Sequence, residues 1–344
     1  MARVAINGLG RIGRAAFKIV LDTPELDLVA ANDVIPIENI AYLLQYDTVY
    51  GRYEREVGVD GNHLVVDGRS IPVYSEKDPA QLPWGDLDID VVFECTGLFT
   101  RAEEMRKHLQ AGARTVILSA PVKSSEERSD EPDVITVVHG VNSPEGDVRM
   151  ISCASCTTNA ITPVVEIMGR RIGVRKAIMT TVHAYTSSQK LVDGPSKDMR
   201  RGRAGAANLV PTSTGAAIAT TKVLTDYQGL FDGVAIRAPV PSGSIADITF
   251  ATERPTSVEE VNEIFRQEAE SDRYGDVVSA VEAPLVSSDI IRNPHAAIID
   301  LEMTQVVDGD LVKVMSWYDN EWGFTAQMVR EAVEVVQRME PTPA

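Results

Sequence analysis

Two architectures in series are predicted: an α/β domain around a parallel sheet, then an α+β domain whose sheet is mostly antiparallel. Three observations carry that prediction. Up to about residue 155, short β-branched runs alternate with stretches of helical apolar spacing. Beyond that point, long β-rich stretches follow one another with few helices between them. A final segment, Thr325 to Met339, again has helical spacing. The expected division places 1–155 and 320–344 in the first domain, with the C-terminal helix returning to it, and 156–319 in the second. A chain of 344 residues is long enough for both cores.

The first elements follow in a telling order. Ala2 to Asn7 is a short strand-like run, and Gly8-Leu9-Gly10-Arg11-Ile12-Gly13 comes directly after it. Helical spacing runs from Arg14 to Leu21, a second strand from Leu26 to Asn32, and Asp33 stands about twenty residues after Gly13. Gly8, Gly10 and Gly13 would let backbone approach a pyrophosphate at the helix N-terminus, and Asp33 would accept from an adenosine ribose. The first domain therefore reads as a Rossmann-type dinucleotide-binding domain. Strand–helix alternation continues through Asp88 to Thr96, Arg101 to Gln110 and Thr115 to Ser119. Thr96-Gly97 and Ser119-Ala120-Pro121 fall just past strand carboxyl ends, where ligands of such sheets lie, although turn chemistry alone also explains them. Lys123 to Asp133 reads as a polar surface loop without assigned function.

Composition narrows the functional classes. Fifty acidic residues against 33 basic ones give a formal charge of −17. That charge argues against nucleic acid and anionic membrane surfaces as partners. No apolar stretch approaches a membrane span, and the strand-like start leaves no room for a signal peptide. Three cysteines cannot build a disulfide framework, which fits a cytoplasmic protein. The basic residues are mostly arginine, and acid excess with few lysines also suits a surface kept hydrated in a high-salt cytoplasm.

Ser152 to Asn159, reading SCASCTTN, carries the most chemistry. It sets Cys156 after an extended stretch and ahead of an apolar run, Ala160 to Met168, that reads as a helix with Pro163 in its first two turns. Unpaired amides and the helix dipole at such a position favour thiolate, and a thiolate attacks carbonyls. The plain alternative is a small buried residue. His183, in TTVHAYT, ends one of the later strands and suits a proton acceptor for a nearby thiol, or a purely structural role. Lys197, Arg200, Arg201 and Arg203 crowd one short segment. Thr212-Ser213-Thr214-Gly215 follows before a helix-like run, and Arg237 closes a strand. Guanidinium, hydroxyl and backbone N–H are the donors that hold phosphate, and the cluster stands against an acidic background.

NGLGRIGR, SCASCTTN, TVHAYT, PTSTGAA and SWYDNEWG, in this order and spacing, resemble phosphorylating glyceraldehyde-3-phosphate dehydrogenase over essentially the whole chain. The resemblance implies oxidation of glyceraldehyde 3-phosphate to 1,3-bisphosphoglycerate with reduction of NAD. Cys156 would be the nucleophile and His183 the base. Inorganic phosphate would be held by Ser155, Thr157, Arg201, Thr214 and Gly215, and the substrate's own phosphate by Thr186 and Arg237. NAD would contact Arg11, Ile12, Asp33, Lys77, Ser119 and Asn320, beside Gly8, Gly10, Gly13 and the Thr96 turn. No metal is implied, and a homotetramer is.

Several departures from the family pattern bear on function. Cys153 stands where asparagine is usual, giving a Cys153-x-x-Cys156 spacing that raises a reversible disulfide. Serine occupies position 188 where an acid is frequent. Gly194 replaces a bulkier residue of strict NAD users, which keeps NADP open, whereas Asp33 repels a 2′-phosphate. Two rival readings are an erythrose-4-phosphate dehydrogenase, opposed by Thr186 and Thr214-Gly215, and a non-catalytic NAD-binding redox sensor.

Overall fold

The computed structural model describes residues 1–123, 134–144, 146 and 148–339, so all but Lys123 of the polar loop at Lys123 to Asp133 lies outside the described residues. Two compact units emerge: Met1–Val137 with Pro144–Ala154 and Met328–Ala344, and Val138–Ser143 with Ser155–Gln327.

The first unit is built on a nine-stranded sheet. Ala2–Asn7 lies between Leu26–Asn32 and Val91–Glu94, parallel to both. Thr115–Leu118, Met150–Ser152 and Ile135–Thr136 continue the parallel sheet beyond Val91–Glu94. Arg69–Tyr74 extends it beyond Leu26–Asn32. The central strands are buried on both faces: Val91, Val92, Phe93, Val116, Ile117 and Leu118 have no exposed surface. Continuous apolar runs of this kind are what a helix-covered parallel sheet requires. His63–Val66 and Val57–Asp60 add an antiparallel ribbon at one edge, and a helix spans Ile37–Gln45. Neither was read from the sequence, because 33–87 mixes short runs without a clean period.

The first helix spans Arg11–Leu21 and turns Ala15, Ala16, Phe17 and Val20 inward. It starts three residues before the predicted Arg14 because the second half of the glycine motif is itself helical. Gly8 needs its left-handed backbone (φ 93°). A Cβ on Gly13 would stand 1.8 Å from the Gly8 carbonyl oxygen, so the helix packs against the turn only because that atom is missing. Gly13→Ala is expected to cost at least about 2 kcal/mol by overpacking and to abolish dinucleotide binding. Thermal unfolding and NAD calorimetry check this, and a variant as stable and as tightly binding as wild type would refute it.

The second unit holds a seven-stranded sheet. Val174–Ala184, Ser244–Thr252, Leu311–Tyr318 and Ala297–Val307 pair antiparallel in turn, as does Val210–Ser213 with Phe231–Ala238. Phe231–Ala238 joins Val174–Ala184 in parallel, and Val278–Val281 joins Ala297–Val307 likewise. The mostly antiparallel sheet is as expected. Ile161, Val164, Val165 and Met168 of the helix Cys156–Arg171 share one core with Ile248, Phe250, Val312 and Val314 of the strands. Strand alternation sends Met179, Thr181 and His183 inward and leaves Ile178 64% and Val182 37% exposed.

Candidate active site

The catalytic half begins with a cap. Ser155 keeps an extended backbone (φ −115°, ψ 163°), and its Oγ accepts the Thr158 N–H at 3.1 Å. Cys156 is therefore the first helical residue, four positions earlier than the apolar run predicted. His183 sits one residue before the end of its strand, on the inward face, with Nε2 3.4 Å from the Cys156 Sγ. The expected nucleophile and base are thus within proton-transfer reach across 27 positions of sequence.

Tyr318 completes the floor. Its ring stands edge-on to His183 at 5.9 Å, and its hydroxyl bonds Thr157 Oγ1 at 2.9 Å and Thr181 Oγ1 at 2.8 Å. Sequence reading missed Tyr318. The signal was the alternation of Leu311–Tyr318, which turns Val312, Val314, Ser316 and Tyr318 to the core.

Electrostatics correct one expectation. Burial raises the Cys156 thiol above its ordinary value, and this outweighs the lowering by the Arg237 charge, the Thr157 hydroxyl and the helix amides. The helix N-terminus favours thiolate as argued, but desolvation prevails, so no standing thiolate results. Burial and then the Arg237 charge push His183 down to about 3, against the opposing pull of the Ala184 carbonyl. Sulfur and imidazole therefore meet as a neutral pair. His183 Nδ1 lies 2.7 Å from the Ala184 carbonyl oxygen and 2.5 Å from Arg237 Nη1, which also donates to that carbonyl at 3.1 Å. Arg237 can only donate, so while its Nη1 stands against Nδ1 that nitrogen accepts and the ring proton lies on Nε2. With Arg237 turned away, Nδ1–H donates to the carbonyl and Nε2 faces the sulfur bare, as a base must.

The phosphate donors sort themselves by their partners. Arg201 donates from Nε to Thr212 Oγ1 at 2.9 Å and from Nη2 to the Ser213 carbonyl at 3.3 Å. It thereby lies along the strand that leads into Thr214, and its charge is felt at His183. Arg201 Nε also lies 3.4 Å from Asp198 Oδ2, Arg203 pairs with Asp193 at 2.7 Å away from that strand, and Lys197 and Arg200 are exposed. Thr214 Oγ1 accepts the Ala216 N–H at 3.2 Å, and Gly215 heads the helix Ala216–Val223 without any side-chain cap, with open space where its Cβ would be. Thr186 Oγ1 bonds Ser188 Oγ at 2.8 Å. Ser155 Oγ serves as the helix cap and Thr157 Oγ1 as the Tyr318 partner, while the Thr157 N–H bears on the Cys156 sulfur. Arg237 Nε is buried without a hydrogen-bond partner among the described residues.

The dinucleotide positions lie in the first unit, except Asn320. Each glycine of the motif meets a different spatial demand. Gly8 lies against Thr96, Gly13 packs on Gly8, and Gly10 has nothing within 4 Å of a would-be Cβ, an open cradle beside uncapped helix amides. Asp33 is held by the N–H of Leu9 at 2.6 Å and of Ile35 at 3.1 Å. Arg11 pairs with Asp47, Ile12 is half-buried, and Lys77 is exposed. Ser119 donates its N–H to the Glu94 carbonyl at 3.0 Å. In the second unit, Asn320 Oδ1 accepts from Ser244 Oγ at 2.9 Å, which orients the amide and leaves Nδ2 as its donor end. Cys153 is buried, and burial, followed by the charges of Glu331 and Cys95, raises its thiol well above normal. That direction opposes Cys153 acting as the thiolate that would resolve an oxidised Cys156.

Comparison with known proteins covers most of the chain. Residues 2–102 match the family model "Glyceraldehyde 3-phosphate dehydrogenase, NAD binding domain", and 155–320 match "Glyceraldehyde 3-phosphate dehydrogenase, C-terminal domain". Similar curated proteins include glyceraldehyde-3-phosphate dehydrogenase 1 of Bacillus subtilis, 43% identical over 98% of both chains. Glyceraldehyde-3-phosphate dehydrogenase 2 of Streptomyces avermitilis is 44% identical over 95% of this chain and 96% of its own. The Mycobacterium tuberculosis glyceraldehyde-3-phosphate dehydrogenase is 45% identical over the same shares.

Proposed function

The chain belongs to the glyceraldehyde-3-phosphate dehydrogenase family of NAD-dependent oxidoreductases, and from that membership we propose that Cys156 and His183 oxidise glyceraldehyde 3-phosphate to 1,3-bisphosphoglycerate, a step of glycolysis. The single observation that carries the residue assignment is the 3.4 Å approach of Sγ to Nε2. His183 Nε2 takes the thiol proton as Sγ bonds the aldehyde carbon, and returning it to the oxygen gives the hemithioacetal. Nε2 then removes the hydroxyl proton while the C–H electron pair departs as hydride, leaving a thioester on Cys156. NAD, when bound, supplies the acceptor for that hydride. Inorganic phosphate attacks the thioester carbonyl, the C–S bond breaks, and the sulfur regains its proton from His183.

Charge couples substrate to base. A substrate phosphate on Arg237 cancels much of the positive field that holds His183 unprotonated, so binding itself strengthens the base. The Cys156 backbone N–H, first of the helix, stabilises the oxyanion. Ser155, Thr157, Arg201, Thr214 and Gly215 hold the attacking phosphate, and Thr186 assists Arg237. Arg11, Ile12, Asp33, Lys77, Thr96, Ser119 and Asn320 hold NAD beside the three glycines. Residues 1–155 with 320–344 form the NAD-binding domain in this reading, and 156–319 the catalytic one.

Among the described residues no helix is long and apolar enough to cross a membrane. We place the protein in the cytoplasm, where NAD and reduced cysteines coexist, and as a homotetramer. The exposed apolar row Ile178, Val182 and Val234 on the open face of the second sheet supports self-association.

Initial rates with glyceraldehyde 3-phosphate, with and without inorganic phosphate and with NAD or NADP, test the reading. Turnover is expected to require phosphate and to be faster with NAD, because the Asp33 carboxylate repels a 2′-phosphate. Gly194 leaves room for NADP as a slower second coenzyme. Steady turnover without phosphate would favour the erythrose-4-phosphate rival instead.

A further inference from the structure

Behind the glycine turn of the first unit lies a chain of buried polar side chains that the chemistry at Cys156 does not use. Glu94 and His108 have no exposed surface. Trp84 Nε1 donates to His108 Nδ1 at 3.0 Å. An indole can only donate, so Nδ1 carries no proton and the ring's proton is on Nε2, 3.0 Å from Glu94 Oε2. Asn7 Nδ2 donates to the same oxygen at 2.6 Å. The other oxygen, Oε1, takes the Thr96 N–H at 2.8 Å and the Thr96 hydroxyl. All four of these groups donate, so the carboxylate is saturated.

The chain continues sideways. Asn7 Oδ1 accepts from Asn32 Nδ2 at 2.7 Å. Asn32 in turn receives the Glu76 N–H at 2.8 Å and donates to the Glu76 carbonyl at 2.9 Å. Strand register explains the meeting, since Asn7 stands opposite Asn32 on one side and Glu94 on the other. Asn7 precedes Gly8, Asn32 precedes Asp33, Glu76 precedes Lys77, and Glu94 holds Thr96 directly. Apolar residues would fill the same space without burying a carboxylate, so packing alone does not account for the network.

We propose that Glu94 is the positioning residue of the coenzyme site: it fixes Thr96 against Gly8 and, through Asn7 and Asn32, sets the spacing of the four loop starts that hold the dinucleotide. This rests on the assignment of those loops to NAD. Thr96 N and Cα lie only 2.6 and 2.8 Å from where a Gly8 Cβ would be, so a small displacement of Thr96 reaches the glycine turn directly.

Glu94→Gln keeps the shape but sets an amide donor against two donors, whichever way it is turned. His108 cannot answer by accepting at Nε2 while Trp84 occupies Nδ1. The NAD dissociation constant, read by calorimetry, is expected to rise about tenfold or more. Alkylation of Cys156 by iodoacetamide without coenzyme should stay at the wild-type rate. In Trp84→Phe/Glu94→Gln, the imidazole is released to carry its proton on Nδ1 and accept from Gln at Nε2, so part of the lost affinity should return. A folded Glu94→Gln that binds NAD like wild type overturns the proposal, as does a parallel fall in alkylation, which signals general damage. Should that variant not fold, Asn32→Ser breaks the chain at its other end and should weaken NAD at least about threefold; unchanged affinity there overturns it too. A wild type that binds no NAD overturns the coenzyme reading and this inference with it, whereas normal wild-type binding beside an unaltered variant overturns this inference alone.

Discussion

Cys156→Ser is expected to lower the rate of aldehyde oxidation by on the order of a thousandfold or more while leaving the fold and NAD affinity in place. The substitution is nearly isosteric, and the cap at Ser155 that places the residue does not involve the sulfur. What is lost is an acid that His183 is able to deprotonate: a serine hydroxyl at the same site is far weaker, and burial that already raises the thiol would raise it further. Progress curves of NADH absorbance measure the rate, and NAD calorimetry reports the intact coenzyme site. A serine variant retaining a tenth of the wild-type rate would remove Cys156 from the mechanism.

His183→Asn should reduce kcat by about a hundredfold to ten-thousandfold, the usual range for a general base. It carries a second, independent signature in stability. Burial, then the Arg237 charge, hold the native imidazole down to about 3, against 6.5 unperturbed. Below pH 6.5 the unfolded chain takes up a proton that the native protein refuses, so stability falls as pH drops from 6.5 toward 3. The slope for one such group is about 1.4 kcal/mol per pH unit. At pH 5 the wild type should therefore have lost about 2 kcal/mol on this account, a loss absent from His183→Asn. Thermal unfolding of both proteins at pH 7 and pH 5 makes the comparison. Equal acid sensitivity would show that His183 is not held neutral in the native state.

Local order in the chain made much of this protein readable. Strand, glycine motif, helix, strand and acid follow one another from Ala2 to Asp33, and the Leu26–Asn32 strand has the limits the sequence predicted. The antiparallel strands Ser244–Thr252 and Leu311–Tyr318 also coincide with their apolar alternation. Boundaries moved where a signal other than periodicity decides them. The first helix and the Cys156 helix both begin earlier than apolar spacing implied, because glycines and a serine cap, not hydrophobic contacts, set their starts. The antiparallel ribbon at 57–74 escaped notice for the converse reason: much of it is exposed and offers little contrast between faces.

Local order in the sequence shows that a dinucleotide-type turn opens the chain and that basic residues cluster near residue 200, and the order of its motifs makes Cys156 the expected nucleophile and that cluster the expected anion site. Only the tertiary structure separates the two arginines: Arg203 pairs with Asp193, whereas Arg201, also near Asp198, bonds Thr212 and Ser213 and so lies along the strand leading into Thr214. It also decided that desolvation outweighs the helix dipole at Cys156, and that Glu94, Asn7 and Asn32 meet behind the glycine turn. Periodicity and capping are short-range and leave a trace in adjacent letters. Burial, charge fields and cross-strand hydrogen bonds sum over groups tens of residues away, and no local pattern records them.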